Sequence, residues 1–278
     1  MNYIHLFHSS KSVACILAAL LLLTAATGCA AQSQGSDYGV FLSVGGDLNR
    51  LGDYQTVVID AQYFSKEQID ALKQDGKTVY SYINIGSIED FRDYYDEYRD
   101  LILGAYENWV EEYWIDAADE RWRSFVTEEL VPTLLRKGID GFFADNCDVY
   151  YHYPTQRMLR GVAEIMRALV GTGKTVLING GDVFLDTYCD GGGRWDDVIT
   201  GINQETVFSA ILWDEGGFGK APEEDRAYFE NYVERYAAMG ADVYLLEYTR
   251  DRALIAEIED YCRQKGFKWY ISDSVELD

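Results

Sequence analysis

Histidine is nearly missing from this 278-residue chain. Of its three histidines, His5 and His8 fall near the start, which leaves His152 in the loop-like run Tyr150-Tyr151-His152-Tyr153-Pro154. A Ser-His-Asp or Cys-His hydrolase would have to find its base there, so such mechanisms are disfavoured. Basic residues are scarce as well: 24 Lys and Arg stand against 47 Asp and Glu, a net charge of −23. A nucleic-acid surface must neutralise phosphates with clustered Lys and Arg, so neither DNA nor RNA is an expected partner. The acidity suits a cationic partner or serves solubility. Cysteine is sparse. Beyond Cys15 and Cys29 there remain Cys147, Cys189 and Cys262, an odd number without C-x-x-C spacing. That pattern gives neither a zinc site nor a dense disulfide framework, though one pair could be bridged. No G-x-G-x-x-G follows an apolar run, so a dinucleotide fold has no direct support.

The first 29 residues read as an export signal. Lys11 is their only lysine or arginine, and the apolar run from Val13 to Leu23 is shorter than the ~20 residues a spanning helix needs. Ala26-Thr27-Gly28-Cys29 is similar to a bacterial lipobox, which implies Cys29 as a lipidation site. The alternative is an ordinary signal peptide cut near Ala31. Residues 30–37 are small and polar, as a tether would be. The expectation is a cell-surface lipoprotein that touches the membrane only through its lipid anchor. Residues 38–278 then form one domain, and the 48% hydrophobic content of the whole sequence is enough for a large core.

Within that domain, short apolar runs alternate with longer amphipathic ones. Strands are expected at Gly39–Val44, Thr56–Asp60, Thr78–Asn84, Gly141–Asp145, Thr175–Asn179, Val198–Glu205, Val243–Glu247 and Lys268–Ser272. Continuous apolar runs suit a parallel sheet covered on both faces. Between them lie helix signals. Ser65 with Gln68 makes a capping box, and Gly76, Gly138, Gly171, Gly240 and Gly266 each follow an apolar helical stripe. Pro132 falls inside one stripe and predicts a kink. Eight strand-helix units predict a single (β/α)8 TIM barrel, of class α/β, with a doubly wound open sheet as the alternative. The connections from Ile85 to Asp119 and from Thr206 to Pro222 are long, as cleft-forming loops are.

Barrel sites form at the C-terminal ends of the strands. Asp60, Asn84, Asp145, Asn179, Glu205, Glu247 and Asp273 sit at or beside those ends. Any one of the aspartates and asparagines could be a helix N-cap, but glutamate is a poor cap. A carboxylate-rich rim without histidine supports either binding of a hard cation or glycoside hydrolysis by two carboxyl groups. The 22 tyrosines and six tryptophans favour sugar, because aromatic faces stack on pyranose rings. Tyr63, Tyr82, Trp109, Trp114, Tyr150, Tyr151, Trp213 and Tyr248 all fall in or near the predicted loops.

Six segments in order carry a family resemblance: Val57 to Tyr63, Tyr80 to Ser87, Gly138 to Asp148 with its G-x-D-G-x-x-x-D-x-x-D pattern, Ile178-Asn179-Gly180, Asn203 to Phe208, and Leu246-Glu247-Tyr248. The set resembles glycoside hydrolase family 114, the endo-α-1,4-polygalactosaminidases. The resemblance implies a barrel, a retaining two-carboxylate mechanism and a galactosamine-containing polysaccharide as partner, with no cofactor and no metal. It implies Asp145 as nucleophile and Glu205 as acid/base. Asp60, Tyr82, Asn84, Asp148, Asn179, Glu247 and Tyr248 are the expected substrate-binding residues, with Glu247 the rival for the acid role. A sugar-binding barrel without catalysis and a metal-dependent polysaccharide deacetylase are the alternatives.

Overall fold

Each apolar run becomes a strand that pairs in parallel with the next along the chain. In order these are β1 (Tyr38–Phe41), β2 (Thr56–Ile59), β3 (Thr78–Asn84), β4 (Gly141–Asp145), β5 (Thr175–Asn179), β6 (Gly201–Glu205), β7 (Asp242–Tyr248) and β8 (Lys268–Ser272). β8 returns beside β1. Across that seam the Ser43 N–H donates to Leu277 O at 3.3 Å. The architecture is a (β/α)8 barrel. The computed structural model describes residues 37–45 and 48–278; the leader, Cys29 and nearly all of the tether lie outside them. Among the described residues no helix is long and apolar enough to cross a membrane. Cys147, Cys189 and Cys262 are all free.

Strand side chains alternate between the two faces of the sheet, and this alternation builds two apolar layers. Tyr38, Val40, Val58, Tyr82, Phe143, Leu177 and Leu246 point into the barrel and form its inner plug. Val57, Ile59, Phe142, Val176, Ile178, Ile202 and Leu245 point outward and pack with the helices. Two strands are shorter than expected by two residues or more. β1 stops at Phe41, short of Gly45 at φ 55°. β6 starts only at Gly201, after a turn of 3-10 helix at Trp195–Asp197, although Val198 and Ile199 are buried.

The helices follow their end signals. The Ser65 capping box is closed in both directions, with Gln68 N–H to Ser65 Oγ at 3.3 Å and Ser65 N–H to Gln68 Oε1 at 2.8 Å. Gly138 (φ 96°) and Gly266 (φ 73°) end their helices in the left-handed conformation. Pro132 acts less sharply than expected. The helix over residues 120–137 continues through it, but Phe125–Leu130 just before it is a π-helix. Proline has no N–H, and its ring crowds the carbonyl four residues back. Widening the preceding turn relieves that crowding.

Both long connections fold over the mouth of the barrel. The first carries a three-stranded antiparallel sheet of Ser87–Glu89, Glu112–Ile115 and Ile102–Ala105. The second is a hairpin of Ser209–Ile211 and Phe218–Lys220, turned at Gly216 and Gly217 with φ of 73° and 99°.

Candidate active site

Asp145, Asn179, Glu205 and Tyr248 have the same strand parity as the inward residues Phe143, Leu177, Asn203 and Leu246. They therefore rise from the inner plug into the mouth. There Asn179 Nδ2 donates to Asp145 Oδ1 at 2.9 Å and to Glu205 Oε1 at 2.7 Å. One amide nitrogen thus holds both carboxyl groups. Those two oxygens can lie no further apart than the two bonds laid end to end, which is short of the roughly 6.5–9.5 Å that separates an inverting pair. The amide is oriented from below. Tyr38 hydroxyl donates to Asn203 Oδ1 at 2.9 Å, and Asn203 Nδ2 donates to Asn179 Oδ1 at 2.7 Å. With its oxygen engaged, Asn179 must present its N–H groups to the carboxylates. Glu205 Oε2 accepts from the Tyr248 hydroxyl at 2.7 Å. Asp145 Oδ1 also accepts from the Asn146 N–H at 2.9 Å, while Oδ2 has no hydrogen-bond partner among the described residues.

Burial raises the pKa of both carboxyls. On Asp145 the Glu205 charge adds to the rise, while the Asn179 and Asn146 hydrogen bonds oppose it. On Glu205 the Asn179 and Tyr248 bonds oppose the rise. Two acids this close ionise as a unit and hold one proton between them over a wide pH range.

The backbone is strained beside both. Three non-glycine residues among those described have positive φ, and two of them, Asn146 (62°) and Thr206 (55°), directly follow Asp145 and Glu205. A β-branched residue in this region is an outlier. Asn146 is held by its side chain, which donates to Ser87 Oγ and Glu112 Oε1, each at 2.8 Å, and accepts from Tyr106 at 3.1 Å. Gly86 packs against it so tightly that a Cβ there would lie 2.0 Å from Asn146 O. Thr206 is held by its N–H donating to Leu246 O at 3.0 Å.

A cavity of about 410 Å³ lies over the pair, lined also by Tyr82, Asp148, Asn179, Asp182 and Tyr248. Beside it is a hollow of about 490 Å³ lined by Asp60, Tyr63, Phe91 and Arg92. The two share Tyr82, Trp109 and Glu112 in their walls. Asp148 accepts from the Gly181 N–H at 3.3 Å, and burial followed by the Asp182 charge pushes it up to about 7. Asp60 borders the second hollow but is buried in an ion cluster. Arg92 reaches it at 2.6 Å and also clasps Glu89 at 2.7 and 3.0 Å.

Two expected binding residues do not line the cleft. Glu247 has the opposite parity to Leu246 and Tyr248, so it points away from the mouth. It is 0% exposed and accepts from the Phe208 and Ser209 N–H groups at 3.0 and 2.9 Å. It clamps the second insertion and has no access to a substrate. Asn84 is consumed inside the protein, donating to Glu112 Oε1 at 3.1 Å and accepting from the Ser87 N–H at 2.9 Å. Asp273 is exposed on an outer groove near Arg250. Of the aromatics, Trp114 and Tyr150 are core residues and Tyr151 is 62% exposed away from the cleft, while Tyr63, Tyr82, Trp109, Trp213 and Tyr248 line it. Sequence reasoning missed Glu112, Tyr106 and Asp182. Glu112 and Tyr106 sit inside a connection read only as a long loop. Asp182 opens the helix Asp182–Asp190, where an acidic residue is ordinary.

No curated protein sequence matches this chain significantly. Among solved structures, the glycoside hydrolase domain of PelA from Pseudomonas aeruginosa has a TM-score of 0.72 at 19% identity, over 87% of this chain and 95% of that one. Aspergillus fumigatus Ega3, solved in complex with galactosamine, has a TM-score of 0.64 at 16% identity, over 88% of this chain and 93% of that one. An α-galactosidase from Thermus thermophilus has a TM-score of 0.55 at 13% identity, over 84% of this chain and 57% of that one. At these identities the likeness is one of fold. The family model of glycoside-hydrolase family GH114 matches residues 21–169, a stretch that includes Asp145 and stops short of Glu205. That match covers more than half of the sequence, and the chain belongs to glycoside-hydrolase family GH114.

Proposed function

We propose that this protein hydrolyses α-1,4 linkages inside a galactosamine-containing polysaccharide, with retention, using Asp145 as nucleophile and Glu205 as acid/base. The observation that carries the reading is the Asn179 amide spanning both carboxylates. In the first step Asp145 Oδ2, the oxygen without a partner among the described residues, bonds to the anomeric carbon. The glycosidic C–O bond breaks, and the leaving oxygen takes the proton of Glu205. In the second step water gives a proton to Glu205 and displaces Asp145 from the sugar. Asn179 steadies both groups through both steps, and Tyr248 orients Glu205. The choice of polymer is supported by family membership, by the acidic cleft, and by the fold-level likeness to Ega3, which was solved with galactosamine. The extracellular setting rests on residues 1–29, outside the described residues, and is part of the same reading.

The test is release of reducing ends from α-1,4-galactosamine polymers. Asp145→Asn and Glu205→Gln should each lose at least the ~10²–10⁴ that general acid catalysis alone supplies, with melting temperatures close to the unaltered protein. Glu205→Gln should recover on substrates with good leaving groups, which need no acid in the first step. Near-normal turnover by Glu205→Gln, together with loss in Glu247→Gln, would overturn the assignment.

A further inference from the structure

Glu112 is one of several carboxylates in the cleft that take no part in the two-step displacement. Glu112 begins the strand Glu112–Ile115 of the first insertion. Its Oε1 accepts from Asn84 Nδ2 at 3.1 Å, from Asn146 Nδ2 at 2.8 Å and from the Ser87 hydroxyl. Three donors on one oxygen fix the side chain and favour its ionised form. Oε2 takes no hydrogen bond from any described residue, yet it is not sealed in. The buried side-chain polar atoms lacking a partner among the described residues are Arg123 Nε and Gln204 Oε1. Glu112 borders both halves of the cleft. The neighbouring cation, Arg92, is already taken by Asp60 and Glu89. A fixed carboxyl group with an unused oxygen therefore stands beside the site of cleavage.

We propose that Glu112 is a specificity-determining residue whose Oε2 receives the 2-ammonium group of an amino sugar next to the scissile bond, so that cleavage favours chains with a free amine there. This rests on the reading that the cleft cuts an amino-sugar polysaccharide. An ammonium brings a full charge and three donors to that oxygen. An acetamide brings no charge, one N–H donor in place of three, and more bulk beside the carboxylate.

The surroundings add a pH signature. Burial, followed by the Glu89 charge, pushes the Glu112 carboxyl up to about 7, against the Ser87 and Asn84 hydrogen bonds and Arg92. Asp145 from β4, Tyr82 from β3 and Tyr106 from the insertion also face it. Glu112 must be ionised to hold an ammonium. KM for a free-amine oligosaccharide should therefore fall as pH rises through about 7 and climb again where the sugar ammonium itself loses its proton, and KM for its N-acetylated counterpart should follow neither change.

The experiment is steady-state kinetics of the full chain and its Glu112→Gln variant on matched α-1,4-galactosamine oligosaccharides, free-amine and N-acetylated. The ratio of kcat/KM, free amine over N-acetylated, should drop roughly ten- to a hundred-fold in the variant, chiefly through KM, as expected for losing one hydrogen bond to a charged group. An equal loss on both substrates, or none on either, would overturn the proposal and leave Glu112 as a support for Asn146. If the variant has no melting transition, the pH series on the unaltered protein decides, and KM values that track pH alike for both substrates overturn it. Failure of the unaltered protein to cut either oligosaccharide removes the polysaccharide reading, and this proposal with it.

Discussion

Backbone strain sits directly beside the carboxylate proposed as acid/base. Thr206 adopts φ 55° directly after Glu205, a conformation that costs a β-branched residue on the order of 1–3 kcal/mol. It persists because the Leu246 carbonyl holds its N–H and because Glu247 pins the backbone N–H groups of Phe208 and Ser209 just beyond it. Thr206→Gly should relieve the strain. We expect the melting temperature to rise by about 2–4 °C, the shift that ~1 kcal/mol gives at this size, while kcat falls several-fold as the Glu205 carriage loosens. Melting curves alongside initial rates check both halves, and a fall in both would mean Thr206 is held by contacts rather than strained. The parity of β7 explains why one strand-end acid does not line the cleft. Tyr248 and Leu246 belong to the inner plug, so Glu247 between them had to face out. A strict period-2 reading of Leu246-Glu247-Tyr248 would have separated them, but a ring of acids at strand ends hides which way each one points.

At the scale of elements, the two insertions make the cleft and the barrel supplies its floor. Trp109 stands at the tip of the first insertion and Trp213 at the tip of the second. Their rings meet edge-to-face with centroids 5.8 Å apart, and both line the cavity over Asp145 and Glu205. The pair roofs the cleft from opposite sides. The two ring planes lie 80° apart, so one ring at a time can stack flat on a sugar entering below the pair. Trp213→Ala should therefore raise KM for oligosaccharides several-fold and change kcat less. Titration of initial rates against substrate gives the split. Equal KM values for the two proteins would show that the roof does not touch substrate. The barrel strands were legible because a buried parallel strand is a short, continuous apolar run. The insertion sheet was not, because Ser87–Glu89 and Glu112–Ile115 are short, mixed in polarity and paired across the intervening residues. Glu112 was lost with it.

For the whole molecule, several carboxyls are buried while few cations compensate. Glu112, Asp148 and Glu247 are each pushed up to about 7, in every case chiefly by burial. In the unfolded chain such groups ionise near pH 4. The folded protein thus keeps protons that the unfolded chain has released. Their contribution to stability is fully present below about pH 4 and is lost as pH rises through about 7. The net charge of −23 acts in the same direction, since fewer ionised acids mean less self-repulsion. The melting temperature should be higher near pH 5.5 than near pH 8. A flat or rising trend over that range would show that these groups are ionised in the folded state without penalty.

The amino-acid sequence by itself determined the barrel, the order of its strands, the helix ends at Gly138 and Gly266, and the strand-end residues Asp145, Asn179, Glu205 and Tyr248. Those features are local: apolar runs, capping residues and glycines are read within a few positions, and a parallel barrel sends every strand end to one rim. Only the tertiary structure decided which rim residues meet. Asn179 joins two carboxylates from strands that are not neighbours, Arg92 withdraws Asp60 into an ion cluster, and Asn84 is spent holding Glu112. Each is a contact between residues far apart in the chain, set by strand parity and by how the insertions fold back. No local pattern of residues encodes such a contact.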